Sequence, residues 1–219
     1  GCFYALSHAD LILMLGTDFP FPEFLQAGHA KVVQVDARPK MLGRRLQLAA
    51  GCIADVSKFL DAVLPLVAEK SDDGLLTASL KKSQGWQKEN SKYVVGGDAR
   101  SPIRPEYLVA TLNELMAEDA VLTVDTGTAC MWTAHQFTFT GDRRMFGSLS
   151  WASMANAAPN AAGIKWAAPD RQVVGLSGDG GFTMLAFGDL ITEVNHGLEV
   201  VHVVLNNGEL GFVNIEMQE

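Results

Sequence analysis

Cysteine is scarce in this 219-residue chain: Cys2, Cys52 and Cys130 stand far apart and have no metal-ligand spacing. An odd, scattered set of thiols argues against a disulfide framework and fits a reducing, cytoplasmic setting. Apolar runs are short. "LILMLG" at 11–16 and "VVHVVL" at 200–205 suit buried strands and fall far below the roughly 20 residues of a membrane-spanning helix. No span is expected, which leaves only peripheral membrane contact of a larger parent protein. Basic clusters are missing as well. With 17 Lys and Arg against 25 Asp and Glu the formal net charge is −8, and the Arg143-Arg144 pair is too short to alter that. Nucleic-acid binding, which needs a basic footprint, is not expected. The chain opens without Met, a basic n-region or a small-residue cleavage site, so no secretory signal is visible. There is no internal repeat and no low-complexity tract.

What is present reads as a globular α/β protein, with 48% hydrophobic residues and room for a substantial core. "GCFYALSHAD" resembles the tail of a helix, followed by strands at 11–15 and 31–36, a loop holding Pro39 and Gly43, and a helix over 56–67. Alternating strand and helix predicts a parallel sheet. From Glu69 to about Arg100 the composition turns polar, as in "KKSQGWQKENSK", which predicts a connection containing one exposed helix. A second β/α series is expected beyond Pro102: helix 105–117, strand 120–124, helix 128–136, helix 153–166, strand 172–177, helix 182–195 and strand 200–205. The final "LGFVNIEMQE" reads as a helix still running. Both ends look cut. The expectation is two incomplete Rossmann-like domains of parallel sheets flanked by helices, over 1–68 and 102–219, joined by a polar linker over 69–101.

The sharpest local feature is "VVGLSGDGGFTML" at 173–185. A buried Val- and Leu-rich strand disfavours charge, so Asp179 is either a turn or cap residue or a ligand for something else. Strands 172–177 and 200–205, joined by one crossover helix, would lie parallel with their carboxyl ends on the same sheet edge. Asp179 and Asn206 then face each other where open α/β sheets bind ligands. Gly178, Gly180 and Gly181 allow close backbone approach, and the following helix points its free N–H groups at that place, which suits phosphate. One carboxylate, one amide oxygen and one nearby carbonyl are too few for a complete Ca²⁺ cage. They suit Mg²⁺, which completes its octahedron with diphosphate oxygens and water.

"GDGG" at 178–181, with 25 residues between Gly180 and "NN" at 206–207, resembles the thiamine diphosphate motif of the 2-oxo acid decarboxylase and oxidase family. "VDTGT" at 124–128 is similar to that family's diphosphate-contacting loop. "GSLSWASMANAAPNAAGIKWAAPDRQVVGLSGDGGF" and "LNNGELGFVNIEM" are similar to its pyruvate oxidase and pyruvate:quinone dehydrogenase branch. The resemblance implies thiamine diphosphate and Mg²⁺ as cofactors, with Asp179, Asn206 and the Gly208 carbonyl on the metal. It places Gly127, Thr128, Gly178, Gly180, Gly181 and Asn207 around the diphosphate. Met154 matches the bulky residue that wedges the cofactor into its bent form, and Phe212 and Val213 match side chains lining the substrate. Taken singly, Met154 and Phe212 would be core residues and Thr128 a helix cap; only their order relative to the metal motif lifts them.

The first third is similar to the second half of the family's central domain, which binds FAD in the oxidase branch. "LGTDFPFPEF" matches the loop beneath the flavin, and "QVDARPKMLGRR" the adenosine side. Asp36 stands where a ribose-binding acid would, and Asp55 where the branch contacts adenine. In the family, an N-terminal domain supplies a pyrimidine-binding glutamate, and no segment here resembles it. The implied picture is part of a homo-oligomeric enzyme, carrying half of a site and inert alone, acting on a 2-oxo acid such as pyruvate. An acetolactate synthase-like carboligase, a simple decarboxylase and a non-catalytic folded fragment remain the alternatives.

Overall fold

In the computed structural model, residues 1–19, 30–97 and 99–218 are described, and the chain divides into two compact units, Gly1–Glu89 and Asn90–Glu219. The first unit holds a three-stranded parallel sheet in the order β1 (Leu11–Leu15), β2 (Lys31–Asp36), β3 (Ala50–Ile53). Its helices are α1 (Cys2–His8) and α2 (Val56–Val63), and most of α3 (Gly74–Val94) also falls in it. Strand β1 buries alternate residues, Ile12 and Met14, against Val32 of β2. That period of two is what a half-covered strand requires. The helix expected over 56–67 ends at Val63 and tightens into a 3-10 turn, Leu64–Leu66, with Pro65 inside it. A proline ring at that point cannot continue α-helical hydrogen bonding.

The second unit is built on four parallel strands in the order β5-β4-β6-β7, with β4 at Val121–Val124, β5 at Arg144–Gly147, β6 at Val173–Gly178 and β7 at Val201–Leu205. Around them stand α4 (Pro105–Leu115), α5 (Thr128–Gln136), α6 (Ala157–Ala167), α7 (Asp179–His196) and α8 (Gly211–Gln218). All four residues of β4 are buried, as is the run from Val173 to Ser177 in β6. Helices on both faces account for these unbroken apolar strands. Leu122, Val124, Val174 and Leu176 pack with Val109 of α4 and Ala129 of α5 in one core cluster. Thr123 faces the other way and donates to the Ala157 carbonyl of α6 at 2.8 Å. Each large side chain buried in such a core contributes about 1.5–3 kcal/mol.

Three expectations need correction. Strands β3 and β5 lie where loops were predicted; both are four-residue edge strands with little buried surface. Helix α6 starts at Ala157 rather than 153, because Ala152 (φ 51°) and Ala155 (φ 59°) adopt left-handed backbone that breaks helical geometry. Helix α7 starts at Asp179 rather than 182, so β6 passes into helix with no loop residue between them. Packing of its first turn overrides the poor helix propensity of Gly180 and Gly181.

Candidate functional site at the carboxyl edge of the second sheet

Strands β6 and β7 are adjacent and parallel, with Gly178 paired to Leu205, so Asp179 and Asn206 emerge side by side. Their oxygens converge: Asp179 Oδ2 and Asn206 Oδ1 both accept from the Gly208 N–H, at 3.1 and 3.2 Å. Gly208 has φ of 70°, a left-handed turn that glycine enters without cost. Asn207 bends toward α8, and its Oδ1 accepts from the Glu209 N–H at 3.3 Å.

A cavity of about 890 Å³ opens at this edge, wholly within the second unit. The β4–α5 loop delivers Gly127 and Thr128 to its wall; the β6–α7 junction delivers Gly178, Asp179, Gly180 and Gly181. Asn206, Asn207, Phe212, Val213 and Met154 line it as well, and Gly208 does not. Gly127 is the N-cap of α5 at φ 132°, a conformation closed to most other residues. A Cβ added at Gly127 or Gly178 would meet nothing within 4 Å, so both face free space. At Gly180 a Cβ would come within 2.4 Å of Leu210 and 3.8 Å of Met154 Cε, which places both side chains over the first turn of α7. Met154 is half-buried, and the two left-handed alanines bracket it. Each such alanine stores on the order of 1–2 kcal/mol of strain.

These residues fit a diphosphate carried on a hard cation. A carboxylate oxygen and an amide oxygen meet here, the oxygen chemistry that Mg²⁺ takes. The first-turn N–H groups of α7 offer the positive end of a helix dipole to phosphate. Among the described residues no three His, Cys, Asp or Glu side chains cluster into a different metal centre.

One buried group escaped the reading of the sequence. Asp125 directly follows β4 and is 1% exposed; its Oδ1 accepts from the Ala157 N–H at 2.8 Å and from Asn156 Nδ2 at 3.3 Å, while its Oδ2 is buried without a partner. The available signal was a carboxylate closing the apolar run "VLTV", the same grammar that drew attention to Asp179.

In the first unit, Asp36 closes β2 and is almost fully buried. The Arg38 side chain and backbone N–H donate to its Oδ1 and hold its carboxyl below the ordinary value, while Oδ2 is buried with no partner. Asp55, at the same sheet edge, caps α2 by accepting from the Lys58 N–H at 3.2 Å. Of the expected flavin loop at 15–24, residues 20–24 lie outside the described residues, and Asp18 in its first half pairs with Arg44 and Arg45.

The second unit is thus an α/β ligand-binding unit with its crevice at the carboxyl ends of parallel strands. Two family models match the chain: the central domain of thiamine pyrophosphate enzymes over residues 2–63, and their C-terminal thiamine pyrophosphate-binding domain over residues 125–219. The chain belongs to the thiamine pyrophosphate enzyme family. It is 34% identical to YdaP of Bacillus subtilis (strain 168), named as thiamine pyrophosphate-containing, across 98% of this chain and 37% of that one. It is 29% identical to the pyruvate oxidase of Lactiplantibacillus plantarum over 98% and 36%. With the mitochondrial acetolactate synthase catalytic subunit of Aspergillus candidus it shares 31% over 95% and 32%. The chain therefore spans about a third of the length of these curated relatives.

Proposed function

We propose that this chain forms the diphosphate- and Mg²⁺-holding part of a thiamine diphosphate-dependent enzyme that decarboxylates a 2-oxo acid such as pyruvate, with flavin-linked oxidation in the whole protein. One observation carries the reading: the Asp179 and Asn206 oxygens converge on a single backbone N–H at the mouth of a large cavity. In this reading Asp179, Asn206 and the Gly208 carbonyl hold Mg²⁺. Gly127, Thr128, Gly178, Gly180, Gly181 and Asn207 receive the diphosphate. Bound thiamine diphosphate supplies a thiazolium that takes up the electrons left by loss of CO₂. The chain's own residues bind and orient: Met154 sits over Gly180 as the wedge, and Phe212 and Val213 form an apolar wall that keeps water from the substrate.

The first unit, as a central-type domain over 1–68, would hold FAD, with Asp36 at the carboxyl end of β2 on the ribose side and Asp55 on the adenine side. Residues 69–101 act as the linker and 102–219 as the diphosphate domain. The whole protein is read as a cytoplasmic homo-oligomer; no helix among the described residues is long and apolar enough to cross a membrane. The similarity to acetolactate synthase, over nearly as much of this chain, supports a carboligase as the second reading. A simple decarboxylase and a non-catalytic half-site complete the alternatives.

The test is calorimetric titration of the chain with thiamine diphosphate, with and without Mg²⁺, beside Asp179→Asn. Binding that needs Mg²⁺ and weakens at least about tenfold in the variant is expected, because a carboxylate ligand is lost. Unchanged affinity in Asp179→Asn sinks the ligand assignment. In the full-length protein, retained FAD and CO₂ release from pyruvate support the oxidase; acetolactate formation supports the carboligase.

A further inference from the structure

We propose that Asp125 is the positioning residue for Met154: its buried carboxylate clamps the segment 152–157 against the sheet and so fixes the side chain that overhangs the diphosphate turn. This rests on the reading of Met154 as the cofactor wedge. Three sets of contacts support it. First, Thr123 and Asp125 are two residues apart at the end of β4 and share a face of the sheet. Thr123 takes the carbonyl of Ala157 at 2.8 Å while Asp125 takes its N–H at 2.8 Å, so this residue is pinned from both sides. Second, Asn156 donates to Asp125 Oδ1 and, at 2.7 Å, to the Ser153 carbonyl, which ties the clamp to the residue before Met154. Third, a Cβ at Gly181 would lie 2.5 Å from Asp125 Oδ2 and 3.4 Å from the Ala155 N. The segment is therefore held between the end of β4 and the first turn of α7.

That clamp is what a strained segment requires. Ala152 and Ala155 lie in the left-handed region on either side of Met154, a backbone that persists only where its surroundings hold it. Asp125 does not line the cavity, so it acts through the segment and not on a ligand.

The test compares Asp125→Ala and Asp125→Asn with the wild-type chain. Amide hydrogen exchange is measured on peptides covering 152–157 and on peptides of β6. Asp125→Ala is expected to speed exchange in 152–157 at least tenfold while β6 stays protected. Asp125→Asn keeps a carbonyl oxygen for Ala157 and is expected to stay within threefold. Equal loosening of both regions, or none, overturns the proposal. A second arm reads Mg²⁺-dependent thiamine diphosphate affinity for Asp125→Ala, Met154→Ala and the double variant. If Asp125 acts through Met154, the double variant is no weaker than the weaker single one; full additivity overturns the proposal. Failure of the wild-type chain to bind thiamine diphosphate counts against the proposed function, and the exchange arm still decides the clamp.

Discussion

Three glycines in helix α7 should respond to alanine with three different outcomes. At Gly188 a Cβ would meet nothing within 4 Å, so Gly188→Ala gains helix propensity without a clash. Stabilisation of about 1 kcal/mol is expected. At Gly181 the same methyl would sit 2.5 Å from Asp125 Oδ2, a carboxylate that is 1% exposed and held by two donors through its other oxygen. Relief requires a shift of roughly 0.8 Å to restore an ordinary carbon–oxygen contact of about 3.3 Å. Overpacking of this kind costs about 1–3 kcal/mol, which offsets the propensity gain of about 1 kcal/mol and leaves a net loss of up to about 2 kcal/mol. Gly180 falls between them: its methyl would collide with the far end of Leu210, a side chain able to rotate away, at the expense of cavity shape. Urea unfolding followed by circular dichroism and tryptophan fluorescence gives the three midpoints. Gly181→Ala as stabilising as Gly188→Ala would refute the account of the close approach between Asp125 and α7.

Other outcomes follow from single contacts. Gly175→Ala would drive a methyl to 2.9 Å from His202 Nδ1 and 3.4 Å from Thr123 Oγ1, and a loss of about 1–3 kcal/mol in chemical unfolding is expected. Arg143 donates to the Asn113, Met116 and Ala117 carbonyls at the end of α4; Arg143→Ala should lower stability by about 1–2 kcal/mol by the same measurement. The Arg45 hydrogen bond foremost, with the charges of Arg45, Arg44 and Arg38, holds the Asp18 carboxyl below its ordinary value of 3.8. A depressed folded value means that this stabilisation is complete above that ordinary value and is lost as pH falls through the folded one. Asp18→Asn should therefore flatten the acid limb of a urea-midpoint profile below about pH 4, and an unchanged limb would contradict the assignment.

Legibility in the sequence followed the apolar runs. Strands β1, β2, β4 and β6 carry apolar runs with buried residues, and the edge strand β7 has no buried residue but still reads "VHVVL"; each was readable to within about a residue, as were the facing positions of Asp179 and Asn206. Strands β3 and β5 were not, because "AGCI" and "RMFG" are short edges that owe their form to one neighbouring strand and bury little of their own. The start of α7 was hidden by "DGG", whose glycines suggest loop until the packing beneath them is known. Asp125 was overlooked because its role depends on partners 31 and 32 residues away, Asn156 and Ala157. Left-handed alanines leave no compositional trace at all, so the break before α6 was legible only in three dimensions.

The direct passage of β6 into α7 has an evolutionary consequence. Between Gly178 and Asp179 there is no slack to absorb a change in chain length. One residue inserted there would turn the start of the helix by about 100° and swing its carboxylate away from Asn206. Length variation among homologues should accordingly collect in stretches such as 137–143 and 168–172, away from the site, and spare the span from Val173 to Gly208. A relative with an insertion inside that span would have had to rebuild its diphosphate turn by another route.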